Sequence, residues 1–186
     1  MKKNSEIRIA GFGGQGIIKA GYIIGKAASI FDDKHSTLIQ SFGPEARGSS
    51  CSAQVLISDS QILFPYIVKP DIGIILSHDA YSTFSGEVAE GGTLLVEEDL
   101  VQPKSKPKKV NYYAIPATKL AEDMGRKIVM NIIIVGFFAS VTGAVSEESA
   151  RKAVESSVPD GTQEMNLKAF EIGFDYGKNL LAGKLN

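Results

Sequence analysis

Residues 7–16 read IRIAGFGGQG: Ile7–Ala10 is an apolar run that breaks into the glycine cluster Gly11, Gly13, Gly14 and Gly16. The run predicts a strand and the cluster a tight loop. Across Gly16–Ser29, the residues Ile17, Ala20, Ile24, Ala27 and Ala28 recur at helical spacing on one side, with Lys19 and Lys26 on the other. Strand, glycine loop and helix in that order open a Rossmann-like α/β unit. Gly21 and Gly25 weaken the helix by about 1 kcal/mol each relative to Ala. Close packing of its backbone against a sheet would offset that.

Outward from this unit, Thr37–Gln40 reads as a second strand and Ser41–Ser50 (SFGPEARGSS) as a loop. Ser52–Ile57 alternates as a strand, and Asp59-Ser60 reads as a turn into Gln61–Phe64, a hairpin that makes the sheet mixed. Asp71–Leu76 and Thr93–Val96 are continuous apolar runs, the pattern of strands buried on both faces, with a helix at Tyr81–Ala89 between them. Pro103–Lys109 is a lysine-rich solvated loop, and Val110–Ile115 a further strand. Helices follow at Ala117–Met124 and Lys127–Thr142, then one capped by Ser146, then one with the apolar stripe Leu167, Phe170, Phe174 and Leu181. The expected fold is α/β: a Rossmann-like three-layer domain spanning residues 1–186, with a mostly parallel, mixed sheet and a helix-rich C-terminal end.

Composition narrows the function. The chain has 186 residues, 44% hydrophobic and 22% charged, ample for one core. A net charge of -1 leaves no electrostatic footprint for nucleic acid. Cys51 is the one cysteine, so the chain alone forms no disulfide, thiolate zinc site or iron–sulfur cluster. The start MKKNSEIRIAGFGG has no apolar signal region, and a cytoplasmic location is expected. The uncharged run Ile128–Val145 is at the short edge for a membrane span, which takes about 20 residues. Asn131, Ser140, Thr142, Gly136 and Gly143 interrupt it, so it reads as a buried core helix.

Two loops carry the chemistry. Gly11-Phe12-Gly13-Gly14-Gln15-Gly16 fits G-x-G-x-x-G in the right context, where backbone N–H groups at a helix start can hold an anion. Three readings stand: phosphate binding, a turn needed only for packing, and dinucleotide binding. The last lacks its ribose acid. Asp32 and Asp33 lie before the second strand, whose end reads Gln40-Ser41-Phe42. The second loop, Ser41–Cys51, offers Ser41, Pro44, Glu45 and Arg47. Arg47 suits a phosphate or carboxylate, or a surface pair with Glu45. After a second strand, this loop should face the same edge as the glycine loop. His78 reads as a helix-start residue, Cys51 as a structural thiol, and no catalytic residue or metal ligand set is assigned. Phe42, Phe64, Tyr66 and Phe84 are candidates for an interface or for the core.

GFGGQG followed by QSFGPEARGSSCSAQVLIS resembles the gamma subunit of 2-oxoacid:ferredoxin (acceptor) oxidoreductases, from Ile7 to about Asn179, including the Asn131 helix and SEESARKAVE. Gly-Pro-Glu-Ala-Arg-Gly is similar to the 2-oxoglutarate type. Pyruvate types tend to read Gly-Ala-Glu-Arg-Arg-Gly there, and indolepyruvate types Gly-Met-Ala-Gln-Arg-Gly. The resemblance implies a subunit rather than a free enzyme. Its holoenzyme would decarboxylate a 2-oxoacid on thiamine diphosphate, pass electrons through [4Fe–4S] clusters to ferredoxin or flavodoxin, and form the acyl-coenzyme A. Thiamine diphosphate and clusters would sit on partner alpha, beta and delta chains. Coenzyme A would approach Gly13–Gly16, aided by Lys19 or Arg47. A free-standing nucleotide-binding oxidoreductase and a purely structural assembly subunit are the alternatives.

Overall fold

The computed structural model describes residues 4–43, 50–103 and 105–185. Strand β1 (Asn4–Phe12) runs into the glycine loop and α1 (Ile17–Lys26), which loosens into a π turn at Ala27–Phe31. Then come β2 (His35–Phe42), β3 (Ser50–Ser58), β4 (Ile72–Ile75), α2 (His78–Phe84), β5 (Thr93–Glu97) and β6 (Asn111–Ile115). Helices α3 (Ala117–Asp123), α4 (Met130–Thr142), α5 (Glu147–Glu155) and α6 (Gln163–Leu181) complete the order.

The six strands lie in the order β2-β3-β1-β4-β5-β6. β1, β4, β5 and β6 are parallel, whereas β3 runs antiparallel to both β1 and β2. The sheet is therefore mixed, as the sequence predicts, but the hairpin is a different one. β3 returns directly from β2 and inserts between it and β1, with Phe42 opposite Cys51 and Phe12 opposite Ser50. Both edges of β3 are then occupied, so the expected strand Gln61–Phe64 cannot pair with it. Residues 59–71 instead run irregularly, anchored where Ile67 N–H donates to Gln54 Oε1 at 3.0 Å. Ser41, expected in a loop, is the penultimate residue of β2.

Helices α1, α4 and α5 pack on one face, with α6 against α4, and α2 packs on the other. Gly21 explains how closely α1 sits: a Cβ there would lie 3.1 Å from both Ala53 Cβ and Leu38 Cδ1. The helix is slotted onto β3 and β2 by its missing side chain. On the opposite face Arg8 is nearly buried, with its guanidinium over the Phe84 ring at 4.8 Å and 3.2 Å from Glu87. Phe84 is thus partly buried against the core, while Phe42, Phe64 and Tyr66 are exposed.

The uncharged run folds as expected. A 3-10 turn at Lys127–Val129 leads into α4, which is buried from Met130 through Ala139. No helix among the described residues is long and apolar enough to cross a membrane. Ser77 and Ser146 cap α2 and α5 by accepting from Ala80 N–H and Ser149 N–H. Helix α2 starts earlier than the spacing predicts because Ser77 caps it, and it ends in a 3-10 turn at Ser85–Glu87. The last helix keeps most of its predicted stripe: Phe170 is fully buried and Leu167 and Phe174 pack against the core, but Leu181 is half exposed. How closely it approaches α4 is set by small residues. A Cβ on Gly136 would strike the Phe170 carbonyl, and one on Gly173 the Ile133 carbonyl.

Gly136→Ala should therefore lower unfolding free energy by about 3 kcal/mol, because rigid backbone must move to admit one methyl. Gly86→Ala, whose Cβ meets nothing within 4 Å, should stay within about 0.5 kcal/mol. Denaturant midpoints of the two variants check this, and equal midpoints would refute it.

Candidate functional site

The parallel strands point their carboxyl ends, and the loops that follow them, to one edge. The glycine loop leaves β1 there, between β3 and β4. Gly14 and Gly16 take φ of 101° and 75°, a left-handed backbone that favours glycine. Gly16 is the N-cap of α1 and offers no side chain, so the first-turn N–H groups have no side-chain acceptor. That is the geometry of an anion cradle. Lys19 stands exposed one turn in, with its ammonium 5.7 Å from the Tyr22 ring centre.

The other glycine-loop residues serve the loop itself. Gln15 Oε1 accepts from Phe12 N–H at 2.6 Å, and its Nε2 donates to the Leu76 carbonyl at 2.7 Å. Its amide is consumed at both ends and ties the loop to the end of β4. Gly11 makes room for that clamp: a Cβ there would crowd the Gln15 amide, Ile17 and Leu76. Gly13 lies between these two groups in the chain, with φ outside the left-handed region.

The second loop springs from the same edge. Gly43 N–H donates to the Ser50 carbonyl at 2.8 Å, closing its base beside the end of β1. Ser41 is exposed on β2 opposite Ser52. Pro44, Glu45 and Arg47 lie outside the described residues. Asp32 and Asp33 sit before β2, at the opposite end of the sheet, and both Asp32 oxygens accept from Ser146, N–H at 2.9 Å and Oγ–H at 2.8 Å. Neither acid reaches the glycine loop.

Cys51 is buried opposite Gly11, and burial pushes its thiol pKa up, away from nucleophilic use. Among the described residues no cluster of three His, Cys, Asp or Glu is placed to hold a metal. One residue the sequence reading passed over is Asn131. It is given no role there, yet its side chain rests on Gly16, where a Cβ would be 2.6 Å from Nδ2. Nothing in the linear pattern marks that contact.

Glu97, also unmarked, ends β5 on this edge and is fully buried. Its Oε2 accepts from Leu100 N–H at 2.7 Å and its Oε1 from Thr118 N–H at 2.8 Å. The carboxylate thus organises the turn after β5 and the N-terminus of α3, and its full burial keeps it from solvent.

Comparison with known proteins places this geometry in a lineage. The family model for pyruvate ferredoxin/flavodoxin oxidoreductase matches residues 6–176. The 2-oxoglutarate synthase subunit KorC of Methanocaldococcus jannaschii is 47% identical over 182 residues, 97% of this chain and 97% of that protein. The crystal structure of a keto/oxoacid ferredoxin oxidoreductase gamma subunit from Geobacter sulfurreducens matches with a TM-score of 0.83 and 43% identity, over 94% of this chain and 98% of that one. The 2-oxoglutarate:ferredoxin oxidoreductase of Magnetococcus marinus, with 2-oxoglutarate, coenzyme A and succinyl-CoA bound, matches with a TM-score of 0.87 over 96% of this chain and 32% of that one. At 23% identity the last likeness speaks for the fold.

The Glu97 geometry yields a pH signature. Burial raises its pKa above the ordinary 4.5 and outweighs the opposing hydrogen bonds from Thr118 and Leu100. The folded chain therefore binds this proton more tightly than the unfolded one, so the group's contribution is full below about 4.5 and is lost as pH rises through the raised value. The stability difference between wild type and Glu97→Gln, measured by denaturation across pH 4 to 8, roughly the range where such a carboxyl titrates, should shift against wild type as pH rises. A difference independent of pH would contradict it.

Proposed function

Since the chain belongs to the pyruvate ferredoxin/flavodoxin oxidoreductase family, we propose that it is the gamma-type subunit of a 2-oxoglutarate:acceptor oxidoreductase. The observation that carries this is the near end-to-end identity with the 2-oxoglutarate synthase subunit of M. jannaschii. In this reading the whole chain, residues 1–186, forms a single gamma-type domain. It works in the cytoplasm beside alpha, beta and delta chains, and the complex converts a 2-oxoacid and coenzyme A to the acyl-coenzyme A, with electrons going to ferredoxin or flavodoxin. One buried cysteine cannot supply the four thiolates of a [4Fe–4S] cluster, so clusters would belong to the partner chains, where the family resemblance also assigns thiamine diphosphate. The isolated chain is inactive.

Its own chemistry is to bind and place coenzyme A. The ligand is polyanionic, and the residues fit it: left-handed Gly14 and Gly16 clear the approach, the uncapped start of α1 supplies N–H donors, and exposed Lys19 adds a positive charge. Ser41 and the adjoining Pro44, Glu45 and Arg47 would flank the same edge. Gln15 and Gly11 act indirectly, by holding the loop in this shape.

Two experiments test the reading. The chain, tagged and recovered with its native partners under anaerobic conditions, should support coenzyme A-dependent dye reduction with 2-oxoglutarate, and the free chain should not. Preference for pyruvate or an aryl pyruvate would overturn the substrate assignment, and recovery without partners would overturn the subunit role. In the complex, Gly13→Val or Lys19→Gln should raise the KM for coenzyme A at least tenfold, equivalent to about 1.4 kcal/mol. The KM for the oxoacid should hold. An unmoved coenzyme A KM would remove the loop from the site.

A further inference from the structure

Asn131 is 7% exposed, and among the described residues its side-chain amide makes no hydrogen bond. A largely buried side-chain amide ordinarily finds a hydrogen-bond partner. The amide rests on Gly16, the uncapped start of α1. It also lines a largely apolar cavity of about 230 Å³, whose wall includes Lys19, Ile128, Val158, Met165 and Asn166.

The helix starts around this cavity differ from the others. Away from it, Ser77 caps α2, Ser146 caps α5, and the Glu97 carboxylate serves α3. At the cavity, α1, α4 and α6 carry no side-chain cap, and their first turns contribute Lys19, Asn131 and Met165 to its wall. The first turns of three helices thus meet at one space, whose wall includes Lys19, although α4 continues a 3-10 turn whose carbonyls already accept from Val129 and Met130 N–H.

We propose that Asn131 is a ligand-contacting residue. Its amide donates to an anion seated on the glycine loop, and the adjoining cavity takes the uncharged organic part of the same molecule. This rests on the reading of the loop as a phosphate site and extends it to a second element, α4, and a second compartment. The ligand class is a phosphate ester or anhydride with an apolar arm. The side chain, unpaired among the described residues, and the uncapped start of α1 are then one feature: donors that face a guest.

The test uses the full chain, titrated with sodium pyrophosphate and separately with coenzyme A. The readouts are the amide resonances of Gly14, Gly16 and Ile17 and the thermal midpoint without ligand. Asn131→Leu keeps the volume and removes the polar group. It should weaken binding of both probes at least tenfold, while the ligand-free midpoint stays equal or rises, because no hydrogen bond to the described residues is lost. A purely structural role predicts a lower midpoint and unchanged affinity. Asn131→Asp keeps the shape and adds charge, and it should weaken binding more than Leu does. If either variant binds pyrophosphate as wild type does, Asn131 is not a contact and the loop reading stands. If wild type itself binds neither probe, the loop reading falls and this inference falls with it. If pyrophosphate binding depends on Asn131 but coenzyme A gains no affinity over pyrophosphate, the cavity has no part in binding.

Discussion

One side-chain amide holds the working edge of this protein together. Gln15 accepts from Phe12 N–H and donates to the Leu76 carbonyl, so one group joins the end of β1, the glycine loop and the end of β4. A loop rich in glycine has large conformational entropy to lose, and it would not by itself keep its N–H groups facing one way. The clamp supplies that order. It also dictates Gly11, since a side chain there would occupy the space of the amide. The left-handed residues Gly14 and Gly16 then present the start of α1 outward.

Much of the fold was legible because its strongest signals are local. An apolar strand ending in glycines, two continuous buried strands and a charge-free helix each depend on patterns within a few residues. The hairpin was not, because pairing partners are a property of the sheet. Gln61–Phe64 has strand-like composition, but β3 had already been claimed on both sides by β1 and β2. The last helix was half legible for a related reason. Leu167, Phe170 and Phe174 marked its buried face, but small residues decide how near two helices can lie.

The site was legible in half. The glycine loop announces itself by spacing, and the base of the second loop lies beside it as the topology rule requires. Asn131 gives no such sign. A lone Asn in an apolar run reads as an interruption, and only the packing of α4 across α1 turns it into a wall of the cradle. Glu97 is hidden in the same way. It follows an ordinary strand, and its importance comes from two backbone N–H groups, one of them from α3. The capping pattern unites these observations: acceptors are spent on α2, α3 and α5 and withheld from α1, α4 and α6.

The crossing of α4 and α6 at Gly136 and Gly173 has an evolutionary edge. Every base change that alters the amino acid at a glycine codon adds a side-chain carbon, and at these two positions that carbon meets backbone carbonyl. Drift in single steps can break this crossing but cannot adjust it. The separation of the two helices, and with it the frame of the cavity at their starts, is closed to gradual revision. Any change in what that cavity accepts must come through the residues hung on the frame, such as Ile128, Val158 and Met165.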